Sequence, residues 1–171
     1  MNDLFTRANG QARIDVSRLY GPFLVRLKDA LTAAQMRGSD CYPTCGWRSF
    51  EEQDKRWKAY KAGTGTRAAP AGMSAHNYGI AVDVVPDGDL AKPGLQADYS
   101  TPAYRILGEE VRKSGLVWGD SFGDRPHIQA PDFVRGRHLA VLRRIWQRTH
   151  GDEITRLRAT WVHLDNVLWS D

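Results

Sequence analysis

The sequence predicts an α+β fold: a small antiparallel sheet carrying the functional site, packed by helices and followed by a helical C-terminal segment. Three observations lead there. Apolar residues recur at three- and four-residue spacing in several separate stretches, which is the period of buried helix faces. The few short strand-like runs between them do not alternate with helices as βαβ units do. The 171 residues, 42% of them hydrophobic, are the size of one domain, 1–171, with a real core.

The first helix is expected over 17–37, where Leu19, Phe23, Leu27, Ala30, Leu31 and Ala34 share a face, with Ser17 as cap and Gly38 as stop. Cys41 to Trp47, broken by Pro43 and Gly46, fits a brief strand. Ser49 caps a second helix from Phe50 to about Lys61, and Glu51 and Glu52 sit in its first turn, where the helix dipole favours acids. Gly63 to Gly72 reads as a flexible loop. Ile80 to Val85 is the best strand in the chain, ended by the turn residues Pro86-Asp87-Gly88. After a second loop over 86–100, Thr101-Pro102 opens a third helix with proline at its first position, and Gly115 ends it. Leu116 to Trp118 and His127 to Gln129 are expected as short strands flanking a glycine-rich turn. Over 131–171 the chain is expected to form a basic helical extension of the domain: one helix around Leu139, Leu142 and Trp146 stops near Gly151, and a second carries Ile154, Leu157, Trp161, Leu164 and Leu168.

Composition narrows the function classes. The net charge of +4 fits an acidic polymer partner as well as a nucleic acid, which usually meets such charge as a stripe with interleaved aromatics; net charge alone does not separate them, and a nucleic-acid protein is the weakest rival. The two cysteines, Cys41 and Cys45, make neither a disulfide framework nor a C-x-x-C motif and read as two free or buried thiols, with a local disulfide between them as the alternative. No secretory signal and no apolar run of membrane-spanning length is visible. The expectation is therefore a monomer made in the cytoplasm; action outside the cell would need separate, holin-type release.

The chemistry concentrates in two segments. The first is Ser74-Ala75-His76-Asn77-Tyr78-Gly79-Ile80-Ala81-Val82-Asp83, and the second is Asp124-Arg125-Pro126-His127. Two imidazoles and a carboxylate are a donor set for catalytic zinc, which needs three protein ligands and an open position for water. His76 and Asp83 lie seven apart, so a straight strand would point them to opposite faces, and Gly79 between them supplies a bend. Asp83 sits among Val82, Val84 and Val85, where a carboxylate needs a partner: a metal, or alternatively a salt bridge. Pro126 biases Arg125 toward an extended conformation leading into His127. Asp124, three residues before His127, is placed to take a proton from an attacking water and return it to a leaving amine.

Three motifs, Cys45-Gly46-Trp47-Arg48-Ser49-Phe50-Glu51-Glu52-Gln53, Ser74-x-His76-x-x-Gly79-x-Ala81-x-Asp83 and Asp124-x-x-His127, stand in the order found in one family. Across residues 40–130 the chain resembles the zinc DD-carboxypeptidase and L-alanyl-D-glutamate peptidase family, whose fold is shared with the amino-terminal domain of Hedgehog. It looks like single-domain phage endolysins that cut peptidoglycan peptide stems. The resemblance implies one zinc ion held by His76, Asp83 and His127, with Asp124 as catalytic acid/base. It implies Arg48 as a substrate-binding or oxyanion-stabilising cation, a role that a guanidinium's paired donors suit, and Ser74 and Gln53 as substrate-side neighbours. The family often has serine where this chain has Cys45.

The implied activity is a peptidoglycan peptidase, most simply an L-alanyl-D-glutamate endopeptidase. A D-alanyl-D-alanine carboxypeptidase or dipeptidase is the rival within enzymes, and a non-catalytic, metal-containing wall-binding module is the rival outside them. From Arg135 to Arg158 seven arginines face two acids, Asp152 and Glu153. They form either a solvated face or a surface attracted to the anionic envelope.

Overall fold

The computed structural model describes residues 4–6, 12–89, 91–92, 94–131 and 137–169. The N-terminal Met1 and the Arg135 that opens the basic stretch lie outside the described residues.

Helix α1 (Gly21–Met36) buries Phe23, Leu27, Ala30, Leu31 and Ala34, the face expected from their spacing. It begins later than the periodicity suggests. Val16–Arg18 is a separate 3-10 turn whose cap is Asp15, not Ser17. The cause is Pro22: a residue without an N–H is accommodated only in a helix's first turn, so its position sets where α1 can start. Gly38 follows the helix at φ +84°, as a stop should.

Four antiparallel strands form one sheet in the order β1-β2-β4-β3. Strand β1 (Cys41–Cys45) lies at its edge, which is where a strand tolerates Pro43. Strand β2 (Ala81–Pro86) pairs with β1 on one side and β4 (His127–Gln129) on the other. The two-residue β3 (Val117–Trp118) closes the far edge. Helix α2 (Phe50–Lys61) starts at Ser49, whose hydroxyl accepts from Glu52 N at 3.1 Å. Helix α3 (Thr101–Lys113) takes Thr101 first and Pro102 second, one residue from the expected order. Helices α4 (Arg137–Arg148) and α5 (Glu153–Asp165) pack on each other, and Asp152 caps α5.

The core is continuous. Leu139, Leu142, Trp146, Leu157 and Leu164 from the last two helices join the same buried cluster as Phe23, Leu27, Ile80, Val82 and Ile128. Strand alternation then sorts the sheet: Val82, Val84 and Ile128 enter the core, and Asp83, His127 and Gln129 point to the other face. No helix among the described residues is long and apolar enough to cross a membrane.

Candidate metal centre

Sheet register assembles most of the site. Asp83 is directly opposite His127 on β4 and opposite Cys45 on β1, so three side chains from three strands stand in one row. His76 reaches the same place from a 3-10 turn, Ala75–Tyr78, just before β2. Gly79 ends that turn in the left-handed region, φ +66°, and redirects the chain into the strand. The bend expected at Gly79 is thus what reconciles His76 with Asp83. A second glycine closes the other half of the site. A Cβ on Gly119 would lie 2.2 Å from Asp124 O, so the turn bearing Asp124 can fold over residue 119 only if that residue lacks a side chain.

His76 Nε2, Asp83 Oδ1 and His127 Nδ1 converge. The distances are 3.2 Å between His76 and Asp83, 3.3 Å between the two imidazoles and 3.4 Å between His127 and Asp83. A tetrahedral ion with bonds of ~2.0–2.1 Å to such donors holds any two of them ~3.3–3.4 Å apart. The outward ring nitrogens are occupied. His76 Nδ1 lies 2.7 Å from Gly46 O, and His127 Nε2 lies 2.8 Å from Gln129 Oε1. Both partners are acceptors, so each outward nitrogen carries the proton and each inward nitrogen is left with a lone pair. Two lone pairs and a carboxylate at these separations repel unless a positive charge sits among them. The residues therefore fit a small divalent cation with mixed N/O ligation.

The electrostatics agree. Burial pushes the His76 imidazole toward its neutral form. Burial also opposes charge on Asp83, but the neighbouring His76 and His127 outweigh it and hold the carboxyl well below the usual carboxylate range. Burial alone would lower His127 too. The Asp83 carboxylate reverses the effect, because it accepts a hydrogen bond from Nδ1 once that atom is protonated and its charge favours the cation, so His127 binds a proton more readily than an ordinary histidine. The centre thus attracts a cation, and without a metal it attracts a proton.

Arg48 is buried beside the cluster. Its Nη1 donates to Gln53 Oε1 at 2.7 Å, its Nη2 donates to Cys45 Sγ at 3.0 Å, and Nη2 also lies 3.7 Å from Asp83 Oδ2. The guanidinium faces the carboxylate oxygen that the two imidazoles leave free. Its buried Nε makes no hydrogen bond among the described residues. Gln53 is 1% exposed; its amide nitrogen donates to Ala69 O at 2.7 Å, so both ends of this side chain hold protein groups in place. Ser74 precedes the His76 turn, half-buried and with no side-chain cap bond. Asp124 is exposed in the turn before β4. Its carbonyl accepts from His127 N at 3.1 Å, and its charge adds to the raised proton affinity of His127.

Three contributors were given no role in the site from the sequence. Cys45 Sγ groups with the donor atoms of His76 and Asp83, all within 4.8 Å of one another. Gln129 orients His127, and its position two residues along the same strand was the available signal. Asn77 is fully buried and ties the motifs together: its amide nitrogen donates to Arg48 O at 2.9 Å, and its oxygen accepts from Gly72 N at 2.9 Å. Nothing in its local pattern marks that role.

The chain is similar to several known proteins. A family model described as VanY, D-alanyl-D-alanine carboxypeptidase, matches residues 19–127. The peptidoglycan L-alanyl-D-glutamate endopeptidase CwlK of Bacillus subtilis (strain 168) is 35% identical over 121 residues, which cover 63% of this chain and 71% of that protein. Among solved structures, the L-Ala D-Glu endopeptidase ChiX of Serratia marcescens is 22% identical with a TM-score of 0.43, covering 68% of this chain and 89% of its own. A variant of the D,D-pentapeptidase VanY from a VanB-type vancomycin-resistance cassette, in complex with Zn(II), is 23% identical with a TM-score of 0.49, covering 84% and 85%. The family match contains His76, Asp83, Asp124 and His127 and spans well over half of the sequence, and the chain belongs to the VanY D-alanyl-D-alanine carboxypeptidase family.

Proposed function

We propose that this chain is a zinc-dependent peptidoglycan peptidase that hydrolyses peptide stems, cutting as an L-alanyl-D-glutamate endopeptidase. The observation that carries the reading is the convergence of His76 Nε2, Asp83 Oδ1 and His127 Nδ1 at the edge lengths of a zinc tetrahedron. Two imidazoles and one carboxylate suit zinc over the hard, all-oxygen cations. The choice of bond follows CwlK, an L-alanyl-D-glutamate endopeptidase matched over most of its length.

Bound zinc in this seat supplies Lewis acidity that polarises a scissile carbonyl and lowers the pKa of water. The chain's own residues do the rest. Asp124, exposed beside His127, accepts the proton of the attacking water and delivers it to the departing amine. Arg48 holds the outer oxygen of Asp83 and keeps a cation at the edge of the site, where negative charge develops on the carbonyl oxygen. Gln53 and Cys45 keep that guanidinium in place. Ser74, the residue at the head of the His76 turn, is assigned to the substrate side.

The test is to strip the protein with a chelator, add back Zn(II), and digest purified sacculi. New D-Glu amino termini support the endopeptidase. Released D-alanine would instead favour the carboxypeptidase reading, which the matching family model suggests. Asp124→Ala should retain the metal and lose turnover; unchanged turnover removes Asp124 from its role. The lytic, endolysin-type role belongs to the same proposal, with the basic α4–α5 surface meeting the anionic envelope. Lysis of permeabilised Gram-negative cells that survives neutralising those arginines would detach the surface from the function.

A further inference from the structure

The turn bearing His76 is gripped at four consecutive backbone carbonyls, each by a donor from elsewhere in the chain. His76 O accepts from Arg48 N at 3.1 Å, and Gly79 O accepts from Tyr20 N at 2.8 Å. Asn77 O accepts from Trp47 Nε1 at 3.1 Å, and Tyr78 O accepts from Trp161 Nε1 at 2.9 Å. The first three donors fall inside the 19–127 family match, whereas Trp161 lies on α5, beyond it. Helix α5 is itself anchored to the segment before α1. Arg18 pairs with Glu153 at 3.3 Å near its start, and Tyr20 Oη donates to Asp165 at 2.6 Å at its end. Helix α4 reaches the same turn from another side: Trp146 stacks on Phe50 at 4.7 Å, and Phe50 meets Tyr78 edge-on at 5.9 Å.

We infer that α5 is part of the scaffold of the metal centre and that Trp161 is a positioning residue for His76. The physical reason is local. Tyr78 is fully buried, and a buried carbonyl must find a donor. Trp161 supplies one through a side chain anchored by a whole helix, which holds the His76 turn against the row formed by Asp83 and His127. Without that N–H the carbonyl relaxes toward water and His76 Nε2 leaves the triangle. The basic C-terminal helices are then a structural part of the centre and cannot be a detachable anchor. The inference rests on the reading that the centre takes zinc.

The experiment measures Zn(II) affinity by competition with a chromophoric chelator for the wild-type chain, Trp161→Phe and Leu164→Ala. Leu164→Ala is the control: it removes buried volume from the same helix, and Leu164 is fully buried. Trp161→Phe should weaken Zn(II) binding by roughly threefold to tenfold, the net worth of one hydrogen bond, and alter the visible spectrum of the Co(II)-loaded protein. Leu164→Ala should lower the melting temperature more while the folded protein binds Zn(II) as before. Equal affinity for Trp161→Phe and the wild type, or an equal loss in both variants, overturns the inference. Should Trp161→Phe fail to fold, hydrogen exchange on the wild type decides. Coupling is reciprocal, so Zn(II) must slow amide exchange in 153–165 by a larger factor than in α3, and no such difference overturns it. A wild-type chain that binds no Zn(II) overturns the zinc reading as well, an outcome distinct from a wild type that binds and a Trp161→Phe that binds equally.

Discussion

Replacing Gly79 by alanine tests how the fold makes its centre. Two costs add. Residue 79 sits at φ +66°, where an L side chain pays about 1–2 kcal/mol. The new Cβ would also stand 2.1 Å from Arg18 O. An ordinary C···O contact is about 3.3 Å, so the backbone has to give by about 1 Å. The neighbouring Tyr20 N–H to Gly79 O bond, 2.8 Å long, is the first thing such a shift breaks, and losing it costs about 1–3 kcal/mol when the carbonyl stays buried. The expected total is about 2–5 kcal/mol. Gly63→Ala is the control: it has φ +73° but nothing within 4 Å of the added Cβ, so it pays only the strain of about 1–2 kcal/mol. Urea unfolding of chelator-treated protein, with m unchanged, reads both values. Zinc titration of Gly79→Ala should also show weakened binding, because the shift is passed to His76. If Gly79→Ala costs no more than Gly63→Ala, the close approach to Arg18 does not constrain the turn and the argument fails.

Other consequences are as direct. Gln129→Leu removes the acceptor that holds His127 Nε2–H at 2.8 Å and should weaken zinc binding about tenfold to a hundredfold. Gln129→Glu should keep the binding, and equal affinities for all three proteins would refute the orienting role. His127→Ala takes away one of the three inward donors, and metal analysis after dialysis should find less than stoichiometric zinc. Burial pushes the Cys41 thiol up to about 12, so a thiol reagent at mildly alkaline pH should leave Cys41 unmodified in the folded chain and label it on unfolding. The unfolded thiol ionises near its ordinary value of 9.0 and the folded one does not, so the Cys41 contribution falls as pH rises from there toward 12. Cys41→Ser should flatten that alkaline decline, and an unchanged slope would exclude Cys41 as its cause.

The legible parts of this protein were those whose physics is local. The buried face of α1 follows from 3.6-residue spacing, and Ser49 caps α2 because a hydroxyl ahead of an acidic first turn has free amides to accept from. Where one local rule fails, another overrides it: Pro22, not Ser17, sets the start of α1. Gly79 was readable as a bend because seven-residue spacing on a straight strand is incompatible with a shared face. The tether of Arg48 to Gln53, Cys45 and Asp83 was not readable, since it joins a strand end, a helix and a neighbouring strand.

Residue chemistry along the chain was enough to single out the three side chains that converge, two imidazoles and a carboxylate, and the glycine that bends the chain between the first two. Distances were beyond its reach. The pairing of Asp83 with His127, the proton on the outer nitrogen of each ring, and the use of Trp161 to close a carbonyl 83 residues away depend on which surfaces meet when the chain collapses. Those meetings are governed by burial and by the need of every buried polar group for a partner, conditions that hold for the packed molecule as a whole and leave no trace in any short stretch of it.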